Sequence, residues 1–178
     1  MRETDYARLR LLVLDVDGVL TDGRVVLTPA GEEIKAFHVR DGAGMKYWRR
    51  VGGKLAIISG RSSPAVRLRA EELGVDAVRL GAKVKLPVCR EVIAQLGVSP
   101  RETAVMGDDL TDLPLFGHCG FSAAPADAVE EVRSAADYVA RRPGGEGCVR
   151  EVIELILKEA GTWAQVMARY LPAAEDQP

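Results

Sequence analysis

Along this chain, short runs of apolar residues alternate with longer stretches in which apolar positions recur every three or four residues. The runs fall at 11–15, 54–59, 77–79, 103–106 and 138–139, and the amphipathic stretches at 43–50, 65–73, 85–96 and 110–116. Short apolar runs bounded by turn residues predict buried strands, and the periodic stretches between them predict helices. Strands alternating with helices imply an α/β architecture, with a mostly parallel sheet flanked by helices in the Rossmann-like manner. Gly74 and Gly97 stand where two of the helices should end, and Ser99-Pro100 breaks the chain ahead of the run at 103.

One segment departs from the alternation. Arg24-Val25-Val26-Leu27, Thr28-Pro29-Ala30-Gly31 and Glu33-Ile34-Lys35-Ala36-Phe37-His38-Val39 read as two extended arms around a turn, a β-hairpin over about 24–39 whose Val25, Leu27, Ile34, Phe37 and Val39 need burial. After the run at 138, Pro143-Gly144-Gly145-Glu146-Gly147 leads into an apolar-periodic helix at about 148–160, and a short helix is expected within 162–171. Residues 1–171 then form one domain, with the glycine-rich segment and C-terminal helices at 143–171, and 172–178 form a disordered tail.

A chain of 178 residues has room for a sizeable core, and 26 acidic against 24 basic residues leave a formal charge of −2. That balance gives no electrostatic footprint for nucleic acid or a membrane surface, so any basic function is local. Cys89, Cys119 and Cys148 are odd in number and form no Cys-x-x-Cys pair, which favours a reduced, cytoplasmic protein. The start, Met1-Arg2-Glu3-Thr4-Asp5-Tyr6, is too polar for a signal peptide, and no apolar run is long enough for a membrane span.

The chemistry gathers where strands end. Asp15 and Asp17 follow Leu11-Leu12-Val13-Leu14, and residues two apart on an extended chain share a face, so both carboxylates can converge on one ligand while Gly18 turns the backbone beyond them. Two anions so close are tolerable only with water, a cation or a shared proton between them, which suits a metal-assisted or acid/base site. Ile57-Ile58-Ser59-Gly60-Arg61, Lys83-Val84-Lys85 and Met106-Gly107-Asp108-Asp109-Leu110-Thr111-Asp112 add a hydroxyl, an ammonium and further carboxylates. In open α/β sheets the ligand crevice lies at the carboxyl ends of the strands, where Asp15, Ser59 and Asp108 all fall. Asp109 and Asp112 also suit the first turn of a helix beginning near Leu110, and the role of Asp109 stays open.

These four motifs, and Asp15-Val16-Asp17-Gly18-Val19-Leu20-Thr21-Asp22-Gly23 above all, resemble those of the haloacid dehalogenase-like phosphatases, in particular the small capless branch that acts on octulosonate phosphates. The resemblance runs from about Leu11 to about Ile156. It implies a phosphatase in which Asp15 is the nucleophile, Asp17 the general acid and base, and Ser59 and Lys85 the donors to the transferring phosphoryl group. Pro87 puts Lys85 at a helix entrance, where the dipole disfavours a cation, so its placement hints at function; Lys83 reads as a solvated charge. The resemblance also implies Mg²⁺ held by the Asp15 carboxylate, the Asp17 backbone carbonyl and Asp108, with Asp112 in support, although Mn²⁺ or Co²⁺ would suit the same oxygens.

For the substrate, the resemblance implies an eight-carbon sugar acid phosphate of lipopolysaccharide core synthesis. It would be contacted by Asp17, Lys85, Arg61, Arg69, Lys46 and the stretch His38-Val39-Arg40-Asp41-Gly42. Arginine grips carboxylates bidentately, and Arg61 adjoins a motif, whereas Arg67 and Arg69 sit on a helix that should be exposed. Lys46 and His38 stand where the related enzymes commonly have arginine and asparagine. The hairpin occupies the place of a cap domain, and the resemblance implies homotetramers in which hairpins assemble, neighbouring subunits cap each site, and the glycine-rich stretch and basic tail reach a neighbour's site. Alternatives within enzymes are a nonulosonate 9-phosphate or another small phosphate monoester as substrate; outside them, an inactive binding or assembly module, against which the four intact motifs argue.

Overall fold

A computed structural model describes residues 4–171; the expected tail at 172–178 lies outside them. In chain order the strands are β1 (Leu11–Leu14), β2 (Val26–Leu27), β3 (Glu33–Ile34), β4 (Lys54–Ser59), β5 (Ala77–Leu80), β6 (Thr103–Met106), β7 (Phe121–Ala124) and β8 (Tyr138–Val139). The helices are α1 (Val39–Arg50), α2 (Pro64–Leu73), α3 (Lys85–Gln95), α4 (Leu113–Phe116), α5 (Glu130–Ala135), α6 (Cys148–Glu159) and α7 (Trp163–Met167). None of them is long and apolar enough to cross a membrane.

Six strands form one parallel sheet in the order β5-β4-β1-β6-β7-β8. From β1 the chain moves outward through β4 and β5, then returns to the other flank of β1 for β6, β7 and β8. This reversal of direction makes β1 the switch point, and the crevice outside its carboxyl end is where ligands bind in such sheets.

The side-chain alternation of the strands supplies two cores. Leu12, Leu14, Leu55, Ile57, Ala104 and Met106 face α1, α2 and α6 together with Met45, Trp48, Ala70 and Ile153. Leu11, Val13, Ala56, Ile58 and Val105 face α3, α4 and α5 with Cys89, Val92, Leu115 and Val132. Both sheet faces are covered, which is why β1, β4 and β6 read as nearly continuous apolar runs. Cys89, Cys119 and Cys148 are buried in these cores, and no disulfide links them.

Two elements were not anticipated. β7, Phe121-Ser122-Ala123-Ala124, has a single strong strand former, yet it is fully buried between β6 and β8. Small side chains fit there because helices press on both faces, and packing of this kind overrides propensity. α5 follows on the short Glu130–Ala135 stretch.

The hairpin is shorter than expected. β2 and β3 are two residues each, with Val26 opposite Ile34 and Leu27 opposite Glu33. Val39 does not extend the second arm: it opens α1, because the His38 Nδ1 accepts a hydrogen bond from the Arg40 N–H at 3.2 Å and caps the helix. Of the apolar residues expected to be buried, only Phe37 packs on the core; Val25, Leu27 and Ile34 are half exposed or more, and Val39 is 80% exposed.

Candidate active site

Asp15 continues the β1 ladder by one residue, its N–H bonding the Met106 carbonyl at 3.0 Å, and so its carboxylate emerges at the switch point. Gly18 then takes φ 87°, and a Cβ there would lie 2.0 Å from Asp108 Oδ2. Only glycine permits both that conformation and the close approach of the acidic loop after β6. An open cleft of about 310 Å³ results, lined by Asp15, Asp17, Gly23, Ser59, Gly60, Arg61, Lys85, Asp108, Asp109 and Thr111.

Lys85, the first residue of α3, is buried on the cleft floor. Its Nζ lies 3.0 Å from Asp15 Oδ2 and 2.7 Å from Asp112 Oδ1. Burial works against this ammonium, but the two carboxylates outweigh it and leave its pKa above the usual value. Asp112 Oδ2 accepts from the N–H groups of Asp108 at 3.3 Å and Asp109 at 3.4 Å, so both of its oxygens are engaged. Asp109 Oδ1 caps the short turn Leu110–Asp112 through the Leu110 N–H at 2.8 Å, which assigns a local structural task to the residue left open by the sequence.

Two buried oxygens of this cluster, Asp15 Oδ1 and Asp108 Oδ1, have no hydrogen-bond partner among the described residues. Burial raises the Asp15 carboxyl to about 6 against the pull of Lys85. Burial, then the charges of Asp15 and Asp112, raise Asp108 to about 8. Oxygens of Asp15, Asp108 and Asp112 lie within 4.8 Å of one another. Unpartnered hard oxygens under mutual repulsion fit a small divalent cation such as Mg²⁺. Since Asp112 is already engaged twice, Asp15 and Asp108 are the carboxylates with oxygens to offer.

Ser59 ends β4, buried, with its Oγ accepting from the Arg61 N–H at 3.3 Å. Arg61 is half exposed; its Nε lies 3.6 Å from Asp17 Oδ2, and its Nη2 donates to Glu33 Oε1 at 2.8 Å. Asp17 Oδ1 is in contact with the ammonium of Lys35, a residue that the sequence suggested only as part of a hairpin arm. The available signal was the alternation Glu33-Ile34-Lys35, which puts two charges on one face of the arm. Lys83 is exposed, in keeping with a solvated charge.

The other residues expected around a substrate lie outside this cleft within the subunit. Asp41 turns inward: its carboxylate accepts from the backbone N–H of Gly147 at 3.2 Å and of Arg150 at 2.7 Å, tying α1 to the start of α6. His38, Gly42 and Arg69 line a separate small hollow with Leu20 and Phe37, and Arg69 pairs with Glu72 at 2.7 Å. Val39 and Lys46 point to solvent, and Arg40 lines a different hollow with Arg141, Arg142 and Arg150. The sequence assigned these residues to a substrate through resemblance alone; within the subunit, His38 caps α1 and the Asp41 carboxylate is taken up by the backbone of Gly147 and Arg150, and neither lines the cleft.

The glycine-rich segment packs on its own chain. The Gly145 N–H bonds the Val19 carbonyl at 3.0 Å and the Gly144 N–H bonds Asp127 Oδ1 at 2.8 Å. A Cβ on Gly144 would fall 1.9 Å from the Gly18 carbonyl oxygen. Glycines are required here by the approach of two backbones, and the loop buttresses the turn that carries Asp17 and Gly18.

A parallel sheet with this carboxylate, hydroxyl and ammonium set at its switch point defines a hydrolase of the haloacid dehalogenase-like class. A family model for haloacid dehalogenase-like hydrolases matches residues 83–152. The 3-deoxy-D-manno-octulosonate 8-phosphate phosphatase of Haemophilus influenzae is 43% identical over 153 residues, 86% of this chain and 85% of the relative. That of Escherichia coli K12 is 42% identical, over 86% and 81% respectively. The crystal structure of the Moraxella catarrhalis enzyme, in complex with magnesium, phosphate and KDO, superposes with a TM-score of 0.91 at 38% identity, covering 93% of this chain and 95% of that one. The cobalt-bound Haemophilus influenzae enzyme gives 0.85 at 42%, covering 88% and 91%. The chain belongs to the 3-deoxy-D-manno-octulosonate 8-phosphate phosphatase family of haloacid dehalogenase-like hydrolases.

Proposed function

We propose that this protein is a Mg²⁺-dependent phosphatase that hydrolyses 3-deoxy-D-manno-octulosonate 8-phosphate to the free sugar acid and phosphate. The observation that carries the reading is the pair of unpartnered buried oxygens on Asp15 and Asp108 beside the Lys85 ammonium, in a chain similar over most of its length to phosphatases of that name. The Asp15 and Asp108 carboxylates would hold Mg²⁺, with the Asp17 carbonyl as the expected third protein ligand. When bound, the cation offsets the repulsion between the cleft's carboxylates and an incoming phosphate dianion.

Asp15 attacks phosphorus, and the bond from phosphorus to the sugar oxygen breaks, giving an aspartyl phosphate. Asp17 delivers the proton that the departing alkoxide requires. In the second half, Asp17 takes a proton from the attacking water, which displaces Asp15 and releases phosphate. Lys85 and Ser59 are fixed donors for the phosphoryl oxygens, held in place before the substrate arrives and most valuable where charge accumulates in the transition state. Arg61, exposed at the rim beside Asp17, is suited to the substrate carboxylate.

The exposed Val25, Val26, Leu27 and Ile34 support a second part of the proposal, a homotetramer assembled through hairpins, in which neighbours cover the open cleft and bring further basic residues to it. The test of the function is phosphate release, with and without Mg²⁺, from 3-deoxy-D-manno-octulosonate 8-phosphate, a nonulosonate 9-phosphate and simple sugar phosphates. A strong Mg²⁺-dependent preference for the first is expected. Equal rates across the panel would remove the substrate assignment, and no turnover would remove the phosphatase.

A further inference from the structure

Glu33 and Lys35 alternate with Ile34 along the second arm of the hairpin, and both turn toward the cleft while Ile34 faces solvent. The Lys35 side chain is only 1% exposed although it stands at the edge of an otherwise solvated hairpin. Its ammonium touches Asp17 Oδ1 and lies 3.4 Å from Glu33 Oε1. Glu33 Oε1 also accepts from Arg61 Nη2 at 2.8 Å, and Arg61 Nε lies 3.6 Å from Asp17 Oδ2. The four groups close a ring of alternating charge: Asp17, Lys35, Glu33, Arg61. The neighbouring Ser63 hydroxyl and Arg61 guanidinium, joined by the Lys35 charge, hold the Glu33 carboxyl down to about 2, so it remains an anchor for both cations at any working pH.

A covered ammonium is costly unless it is paired, so a lysine with stem and head both shielded is explained by its partners. One of those partners is the carboxylate that must move two protons in each turnover. With Lys35 on Oδ1, the Asp17 carboxylate is held against rotation, and Oδ2, whose one charged neighbour among the described residues is the half-exposed Arg61 at 3.6 Å, is the oxygen with room to exchange protons at the cleft. We propose that Lys35 is a positioning residue for the reaction: by binding Asp17 Oδ1 it aims Oδ2 at the leaving oxygen, and the hairpin thereby belongs to the catalytic apparatus as well as to assembly. This rests on the phosphatase reading above.

The test compares Lys35→Met, Lys35→Arg, Asp17→Asn and the Lys35→Met/Asp17→Asn double variant on two monoesters. The octulosonate 8-phosphate has an alkoxide leaving group that needs a proton; p-nitrophenyl phosphate does not. Lys35→Met should lower kcat on the sugar phosphate by about 10²-fold, the scale of general acid catalysis, with KM little changed and p-nitrophenyl phosphate turnover far less affected. Lys35→Arg should restore most of the loss, and adding Lys35→Met to Asp17→Asn should cost less than about twofold more, because the two act as one unit. Equal losses on both substrates, multiplying effects in the double variant, or full activity in Lys35→Met would each overturn the proposal. Failure of the phosphatase reading would look different: the unmodified protein would release phosphate from neither substrate.

Discussion

Asp112 grips Lys85 with one oxygen and the backbone of Asp108 and Asp109 with the other. Through this single side chain, the entrance of α3 and the acidic loop after β6 are held in one geometry. Its two roles explain why Asp112 is buried and why Lys85 points into the cleft against the dipole of its own helix.

Asp112→Ala should therefore damage both stability and turnover. It leaves Lys85 paired only with Asp15 and two loop N–H groups without an acceptor, a loss of about 3 kcal/mol on the scale of broken buried ion pairs. Urea unfolding measures the first effect and phosphate release the second. A variant with wild-type unfolding would show that Asp112 carries no structural share of the site.

The raised carboxyl groups set a pH dependence for the metal-free protein. The unfolded chain loses the Asp15 and Asp108 protons near 3.8, whereas the folded chain keeps them to about 6 and about 8. Their contribution to stability is thus fully present below about 4 and declines as pH rises through 8. Glu33, lowered to about 2, acts in the opposite sense and only below its unfolded value of 4.5, outside that window. Thermal unfolding in EDTA should give a lower Tm at pH 8 than at pH 5, and Mg²⁺ should raise Tm more at pH 8, where Asp15 has lost its proton and Asp108 is losing its own. Asp15→Asn should abolish turnover and flatten this pH dependence without lowering Tm at pH 8. A Tm that rises from pH 5 to pH 8 in EDTA would contradict the account.

Gly144→Ala should be far more harmful than an alanine on a surface loop. The added methyl group would meet the Gly18 carbonyl, so the glycine-rich loop must move away from the turn that holds Asp17. Loss of at least about 2 kcal/mol is expected, in the range of overpacked sites, together with a fall in kcat. Gly97→Ser, where a Cβ meets nothing within 4 Å but the backbone has φ 64°, is the control for strain without collision. Equal effects from the two would remove the packing argument.

Val26→Asp places a charge on the outer face of the hairpin, opposite Ile34. Light scattering should then show a smaller particle than the unmodified protein gives, with an unchanged far-ultraviolet circular dichroism spectrum. If the unmodified protein is itself a monomer, or the variant assembles as before, the hairpin is not the assembly surface.

Much of this protein is determined locally. Leu11-Leu12-Val13-Leu14, Lys54–Ser59 and Thr103–Met106 are legible as strands because burial on both faces demands continuous apolar runs, and a strand's end is where Asp15, Ser59 and Asp108 become available for chemistry. Pro87 and the turn residues likewise mark the start of α3, and with it Lys85. What needed the tertiary structure is whatever depends on a partner distant in the chain. Phe121-Ser122-Ala123-Ala124 is a strand because β6 and β8 flank it, not because its residues prefer to be one. Asp41 resembles a substrate contact until α6, more than a hundred residues on, is seen to supply the N–H groups that bind it. Gly144 is one of several glycines ahead of a helix until Gly18 is found against it. Lys35 is one charge among many until folding brings it to Asp17. Hydrophobic periodicity is written along the chain, whereas the pairing of buried polar groups is a property of the packed molecule, and it is this pairing that shapes the candidate site.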